Sequence, residues 1–386
     1  MSKLGKLIQQ LCPDGVEYKT LEDVLTIKNG RDYKQFGEGE IPVYGSGGIM
    51  AYIDTAAYDK PSVLIPRKGS LDKLYYVDQP FWNVDTIFYT DINTALITPK
   101  YVFYWLSGQH LERLNKAGGV PSLTQSVLNK VPIPVPPLPV QREIVRILDS
   151  FTELTAELTA ELTARKNQYE YYRDKLLTFE DSSLIAWMPL GEIAAISRGA
   201  SPRPIKSFIT SDGKGVNWIK ISDASPESKY IIAAKEQITM EGAKKSRYVK
   251  PGDFILSNSM SFGRPYILKI DGCIHDGWLV ISDFGKYITP DYLYYTLTST
   301  AIQNEMKKRA SFGGAVQNLN ADIVRALSIP IPPLDEQRRI VSILDRFDAL
   351  CNDLTQGLPA EIEARKKQYE YYRDKLLSFP ELTEPR

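Results

Sequence analysis

The chain contains its own pattern twice. Ala164–Phe179 reads ARKNQYEYYRDKLLTF and Ala364–Phe379 reads ARKKQYEYYRDKLLSF, a match at 14 of 16 positions with an offset of 200. Upstream, Pro136–Phe151 (PPLPVQREIVRILDSF) and Pro332–Phe347 (PPLDEQRRIVSILDRF) match at 11 of 16 with an offset of 196. Weaker echoes come earlier. Pro99–Leu106 is like Pro290–Leu297, Gly118-Gly119 is like Gly313-Gly314, and Leu21, Ile27 and Gly30 are like Leu190, Ile196 and Gly199. Between the echoes the copies diverge. Two similar frames around two unlike inserts require two related modules, each followed by the same kind of element.

That element reads as a long helix. The proline-rich stretches Val131–Pro139 and Ile329–Pro333 are extended, because proline excludes helix at its own position and disfavours it one residue before. A 4,3,4,3 spacing then begins: Ile144, Leu148, Phe151, Thr155, Leu158, Leu162, Arg165, Tyr169, Tyr172, Leu176, Phe179. Nine of these eleven are apolar or aromatic, which is a heptad seam. No proline or glycine lies between Val140 and Phe179, so the helix is about 60 Å long at about 1.5 Å per residue.

The second copy starts alike, with Ile340, Leu344, Phe347, Cys351, Leu354 and Leu358, and ends alike, with Arg365, Tyr369, Tyr372, Leu376 and Phe379. Its middle is four residues longer, the difference between the offsets of 196 and 200. Such an insertion is a stutter in the heptad pattern. Gly357 and Pro359 fall there and predict a kink or break at 356–360, with Pro359 early in the restarted helix. The residues expected to pair the two helices are Leu148, Phe151, Leu158, Leu162, Tyr169, Tyr172 and Leu176 on the first. On the second they are Leu344, Phe347, Leu354, Leu358, Tyr369, Tyr372 and Leu376. The first copy also repeats ELTA three times over Glu153–Ala164. Each such unit adds about 6 Å of helix and about 40° of rotation, which suits an adjustable spacer.

The expected organisation is an N-terminal segment 1–12, a module 13–138, a central helix 139–180, a second module 187–334 and a C-terminal helix 335–379. Both modules carry short apolar runs between turn signals, such as Ser62–Ile65, Thr86–Tyr89, Asp253–Leu256 and Trp278–Ile281, which are strand-like. Each ends in a helical stretch, Pro99–Lys116 or Pro290–Arg309. The fold class is therefore α+β, with two modules and two long helices.

Net charge is zero, which alone argues against a nucleic-acid partner. Its distribution says more: residues 187–334 hold 18 Lys and Arg against 13 Asp and Glu, whereas residues 13–138 hold 12 against 14. No apolar run reaches membrane-span length and the N-terminus has no secretory pattern. Cys12, Cys273 and Cys351 form no CxxC pair, which points to reduced thiols in a cytoplasmic protein rather than a disulfide or zinc framework.

Loops in both modules mix Gly, Ser and Asn with basic and aromatic residues. That composition suits phosphate and base-edge contacts, since Ser and Asn hydrogen-bond and Arg reads guanine. The candidate DNA contacts are Lys28, Arg31, Lys34, Tyr44, Ser46, Arg67, Lys68 and Ser70 in the first module. In the second they are Arg198, Ser201, Arg203, Lys244, Arg247, Asn258, Ser259 and Arg264. Catalytic patterns are missing: there is no phosphate-binding P-loop and no methyltransferase motif. The two histidines, His110 and His275, have no nucleophile motif beside them and read as structural. Glu227-Ser228-Lys229 mimics the end of a nuclease motif, but Asp223 is too close upstream.

The layout resembles the specificity subunit of type I restriction–modification enzymes. The matching residues are Pro136–Phe179 and Pro332–Phe379, above all the paired QYEYYRDKLL at 168–177 and 368–377. The opening Leu11–Tyr18 (LCPDGVEY) and Gly357–Ile362 (GLPAEI) are also similar to that family. The resemblance implies two target-recognition domains related by a pseudo-twofold axis and held apart by two antiparallel helices forming a coiled coil. Each domain would read half of a bipartite, asymmetric double-stranded DNA target. It further implies docking of two modification subunits, which carry S-adenosylmethionine, and two restriction subunits, which use ATP and Mg2+. None of those cofactors, and no metal, would bind this non-catalytic chain. Alternative readings are a coiled-coil scaffold whose modules bind protein, a self-contained nuclease, or the specificity subunit of a system with a fused methylation and cleavage partner. Divergent loops in preserved frames argue against the scaffold, and the missing motifs argue against the nuclease.

Overall fold

The computed structural model describes residues 2–115, 121–179, 185–225, 228–258, 262–311, 319–353 and 355–382. Contacts divide the chain into two units, one of Met1–Thr159 with Ile362–Arg386, the other of Ala160–Glu361. Gly118, Gly119, Gly313, Gly314, Glu227, Ser259 and Leu354 lie outside the described residues.

In the first unit, Leu25–Asn29, Ile87–Ile92, Ser62–Pro66 and Tyr75–Val77 lie side by side in that order as an antiparallel sheet. A smaller sheet places Glu38–Gly45 between Gly48–Ile53 and Trp82–Asn83, the last running parallel. In the second unit, Ala195–Arg198, Trp278–Ser282, Phe254–Ser257 and Pro265–Leu268 repeat the first order, with Tyr230–Ile231 added at the edge. Its second sheet has five strands, in which Val216–Ile219 runs parallel to Gly272–Ile274. The two central strands, Ser62–Pro66 and Phe254–Ser257, are buried at every position, which explains their unbroken apolar runs. Each helical stretch after the sheets is interrupted. Pro99–Ser107 ends at Gly108, with a short turn Leu111–Leu114 beyond it, and Pro290–Thr298 gives way to Thr300–Ser311.

The long helix is continuous over Leu138–Leu177, 40 residues. The repeated glutamine of the Pro-Pro-Leu motif explains how each copy of the frame is fastened. Gln141 is fully buried. Its carbonyl accepts from the Thr98 amide at 2.8 Å, and its amide donates to the carbonyls of Leu96 at 2.9 Å and Pro136 at 2.7 Å. Gln337 repeats this with the Thr289 amide at 2.8 Å and the carbonyls of Tyr287 at 3.0 Å and Pro332 at 2.9 Å. One side chain thus ties the start of the module helix to the start of the long one. A second tie follows, from Tyr104 Oη to Asp149 at 2.6 Å and from Tyr295 Oη to Asp345 at 2.5 Å.

The cation at this second tie has changed hands. Lys100 pairs with Asp149 at 2.8 Å, but its counterpart at the same step of the other module helix is Asp291. There the ammonium comes from Lys229, whose side chain is only 9% exposed. It lies 2.6 Å from Asp291 and 3.7 Å from Asp345, against the rings of Tyr294 and Tyr295. The ammonium thus comes from the insert rather than the module helix, and this nearly buried lysine is paired with two carboxylates where Lys100 meets one.

Helix pairing runs antiparallel. In the second unit Tyr172 stacks on Phe347 with centroids 5.7 Å apart, Tyr169 feels Asp348, and Cys351 feels Lys166 and Arg165. In the first unit Phe151 stacks on Tyr372 at 5.4 Å and Tyr369 meets Tyr104. The break in the second copy comes earlier than 356–360. Helix Leu334–Asn352 stops first, Leu358–Leu377 follows, and Pro359 is the second residue of the restart. Asp353 accounts for the earlier stop, since its carboxylate accepts from the Thr355 amide at 2.7 Å and the Thr355 hydroxyl at 2.6 Å, a local turn that competes with helix. Seam burial also shifts at the ends. Leu148 and Leu344 are fully buried, and Leu158, Leu162 and Leu358 are half-buried. Leu177 and Leu377 go deeper than the expected Leu176 and Leu376, because the helix ends meet the module cores on a second side. Tyr172 and Tyr372 remain about one-third exposed despite their stacking, at 38% and 36%.

The C-terminal segment closes the first unit onto its N-terminal region. The Val16 amide donates to the Pro380 carbonyl at 2.9 Å and Tyr18 Oη to the Phe379 carbonyl at 3.0 Å. Gly15, at φ +114°, fits beneath that segment, where a Cβ would stand 2.5 Å from the Pro380 oxygen.

Candidate nucleic-acid interface

In each module a tight turn enters the strand beside the central one, Asn83–Ile87 leading into Ile87–Ile92 in one unit and Ile274–Trp278 into Trp278–Ser282 in the other. The candidate residues that converge do so around these turns. In the first unit the amides of Arg67 and Lys68 donate to the Thr86 carbonyl at 2.9 and 3.2 Å, and the Ser46 amide meets Thr86 Oγ1 at 3.3 Å. The Val84 amide donates to the Tyr44 carbonyl at 3.0 Å, and the Arg31 amide donates to the Asn83 carbonyl at 2.9 Å. Arg67 reaches the Asp85 carbonyl at 3.5 Å, and Lys68 approaches the Asp85 carboxylate at 3.8 Å. Five expected residues, Arg31, Tyr44, Ser46, Arg67 and Lys68, therefore share one surface. Tyr44 is half-buried against Tyr75 and Phe81, so its ring supports the turn, and burial pushes its hydroxyl pKa up.

The second unit gathers Arg198, Ser201, Arg203 and Asn258 about Asp276. Arg198 Nε and Asn258 Nδ2 donate to the Asp276 carbonyl at 2.8 and 3.0 Å. Ser201 Oγ donates to the Asp276 carboxylate at 2.7 Å, and Arg203 approaches it at 3.7 Å. The Ser201 hydroxyl is the main reason the Asp276 carboxyl lies below its ordinary range. Arg247 lies alongside, its Nε 3.4 Å from the Arg198 carbonyl. His275 is structural: its Nδ1 accepts from the Gly277 amide at 2.7 Å, and burial holds its pKa down, favouring the neutral ring.

Other candidates stand apart. Lys28 is committed to Asp91 at 2.9 Å, because its strand position points it across the sheet rather than along the loop. That bond raises the lysine pKa and lowers the carboxylate's. Lys34 lies in an exposed turn, Ser70 is half-buried in a separate turn, and Lys244 is exposed on the short helix Met240–Lys244. Arg264 turns the other way. It stacks over Tyr266 and lines a cavity of about 420 Å³ with Tyr169, Arg173 and Tyr294 of its own unit. Asp85 and Asp276, acidic residues that a basic-loop composition does not single out, each stand at the centre of their cluster. The paired glycines pointed to them. A Cβ at Gly30 or at Gly199 would fall 2.1 Å from the carbonyl oxygen of Val84 or His275, so each glycine marks the turn it packs on.

The described residues include no helix long and apolar enough to cross a membrane. The sequence model described as Type I restriction modification DNA specificity domain matches residues 13–165 and 185–364. A putative type I restriction enzyme specificity subunit of Haemophilus influenzae is 33% identical over 387 residues, covering 94% of this chain and 96% of that one. The type I restriction enzyme EcoR124I/EcoR124II specificity subunit of Escherichia coli is 36% identical over 304 residues, covering 75% and 72%. The fold is shared with a solved chain from a study of complex assembly and conformational transition of the type I R-M system, at a TM-score of 0.67, 17% identity and coverage of 95% and 98%. It is also shared with a type I restriction–modification S subunit from M. genitalium, at a TM-score of 0.54, 16% identity and coverage of 95% and 97%.

Proposed function

The chain belongs to the type I restriction–modification DNA specificity family, and on that footing we propose that it reads a bipartite, asymmetric DNA target, half with each unit, and docks the modification and restriction subunits. Specificity subunits are non-catalytic, so the chemistry is done by those partners, which supply S-adenosylmethionine, ATP and Mg2+. The reading domains are 13–138 and 187–334.

One observation carries this reading: the same strand order presents unlike basic loops at the same turn in both units. Arg67, Lys68 and Ser46 are positioned there to meet one half-site, and Arg198, Ser201, Arg203, Asn258 and Arg247 to meet the other. Arginine forks and amide side chains at a loop tip suit phosphates and base edges. The helix faces support docking of like partners. Tyr171 and Tyr371 are each 60% exposed, and Lys175 and Lys375 each lie 5.7 Å above the neighbouring ring. Two identical exposed faces suit two copies of one subunit.

The ELTA units set the gap between half-sites, because they lie within one unbroken helix. Half-sites read from one side of DNA lie about one helical turn apart, roughly 34 Å, or multiples of it. Methylome sequencing of cells carrying the complex tests this directly. Deletion of Glu157–Ala160 is expected to shorten the preferred gap and leave both half-sites intact. An unchanged gap refutes the spacer role, and a methylated motif with no second half refutes bipartite reading.

A further inference from the structure

Asp85 and Asp276 occupy the same place in two otherwise unlike reading surfaces. The register establishes this at four points. Gly30 and Gly199 pack on Val84 and His275 with the same 2.1 Å approach. The Arg67 amide donates to Thr86 at 2.9 Å, and the Asn258 amide to Gly277 at 3.1 Å. The Leu123 amide donates to Arg67 at 2.9 Å, and the Leu319 amide to Asn258 at 2.8 Å. Asn83 pairs in parallel with Tyr44, and Ile274 with Ile219. Asp85 and Asp276 each follow two residues later.

The neighbours of the two aspartates differ while their setting does not. Each backbone carbonyl holds the side chain from the equivalent strand end, Arg67 or Asn258. Each carboxylate meets a cation only at long range, Lys68 at 3.8 Å or Arg203 at 3.7 Å, and is 64% or 44% exposed. The cations come from different elements in the two units, so a shared need to hold one particular cation does not explain the shared carboxylate. On a surface that meets phosphates, a half-exposed carboxylate is repelled by the ligand. In the major groove it has one favourable use. It accepts a hydrogen bond from an exocyclic amino group, N4 of cytosine or N6 of adenine, and is repelled by the carbonyl oxygens that guanine and thymine present there.

Resting on the DNA-reading function above, we propose that Asp85 and Asp276 are equivalent base-reading residues, each selecting an amino-bearing base at one position of its own half-site. The flanking Arg67, Lys68, Arg198 and Arg203 offset the charge, and in the second unit Ser201 holds the carboxylate at 2.7 Å.

The test uses the chain assembled with its modification subunits, selecting from duplexes randomised across both half-sites. Asp276→Asn keeps the shape and replaces one acceptor with a donor. It is expected to reduce discrimination at one base pair of one half-site by about ten- to a hundredfold, with the other half-site unchanged. Asp85→Asn is expected to do the same in the opposite half. Retained selection at the other positions of the same half-site reports that the mutated module is folded. A profile unchanged at every position, or weakened evenly across a half-site, overturns the proposal and leaves a structural role for the turn. A wild-type complex without sequence preference refutes the DNA-reading function itself, and this inference with it.

Discussion

Replacing Gln337 with leucine isolates the contribution of the repeated glutamine. The side chain is fully buried and makes three hydrogen bonds, all to backbone, at 2.8, 2.9 and 3.0 Å. Leucine fills most of the volume but leaves the Thr289 amide and the carbonyls of Tyr287 and Pro332 without this partner. Each orphaned buried group costs about 1–3 kcal/mol, and local relaxation keeps the sum near the low end, about 3–5 kcal/mol. With a urea dependence of about 2 kcal/mol per molar, the midpoint for the second unit falls by roughly 2 M. Hydrogen exchange along a urea series gives the assay, because peptides spanning 287–298 report on that unit and peptides spanning 96–107 on the other. Gln337→Glu restores the acceptor but not the two donors and adds a buried charge, so it is expected to be at least as damaging. A loss below about 1 kcal/mol, or equal loosening of both sets of peptides, refutes the assignment of this amide as the clasp.

Three further outcomes follow from local geometry. Glu143 is nearly buried between Arg146 at 2.8 Å and Lys3 at 2.7 Å, and its pKa is lowered to about 2, chiefly by Arg146. Its folded value lies below the unfolded one, so its stabilisation is complete above about pH 4.5 and is lost as pH falls towards 2. The difference in urea midpoint between wild type and Glu143→Gln should therefore shrink from pH 6 to pH 3, and a constant difference contradicts the pairing. His275, with its pKa lowered by burial, stabilises the second unit above about pH 6.5, and that contribution is lost on acidification. Its ring proton resonances should show a midpoint below about 6.5, and an ordinary midpoint contradicts the buried neutral ring. Gly15→Ala forces a Cβ into a left-handed backbone and against the Pro380 oxygen, so it should destabilise by about 2 kcal/mol or more and speed proteolysis of the C-terminal segment. A variant as resistant as wild type contradicts that closure.

The repeat, the long helix and the interruption near Gly357 were legible because they depend on residues close together in the chain. Heptad spacing and the absence of proline define Leu138–Leu177 locally. Position along a seam was less legible. Leu177 and Leu377 exceed Leu176 and Leu376 in burial because each helix end meets a module core as well as its partner helix. The candidate contacts divided for the same reason. Arg31, Arg67 and Lys68 converge, whereas Lys28 and Arg264, equally basic and equally close to glycine, turn to Asp91 and to the cavity beside Tyr169. Composition cannot tell these groups apart, because strand parity and sheet order decide which way a loop residue faces.

Two modules in a common frame, and the helix that follows each, were thus determined by the sequence alone, since periodicity and proline act over a few residues. Tertiary structure decided that Arg198 and Asn258 would share the carbonyl of Asp276, respectively 78 and 18 residues away in the chain. The same folding made Asp276 the counterpart of Asp85. Strand pairing between distant segments creates those neighbours, and no short-range pattern encodes which carboxylate ends up among which cations.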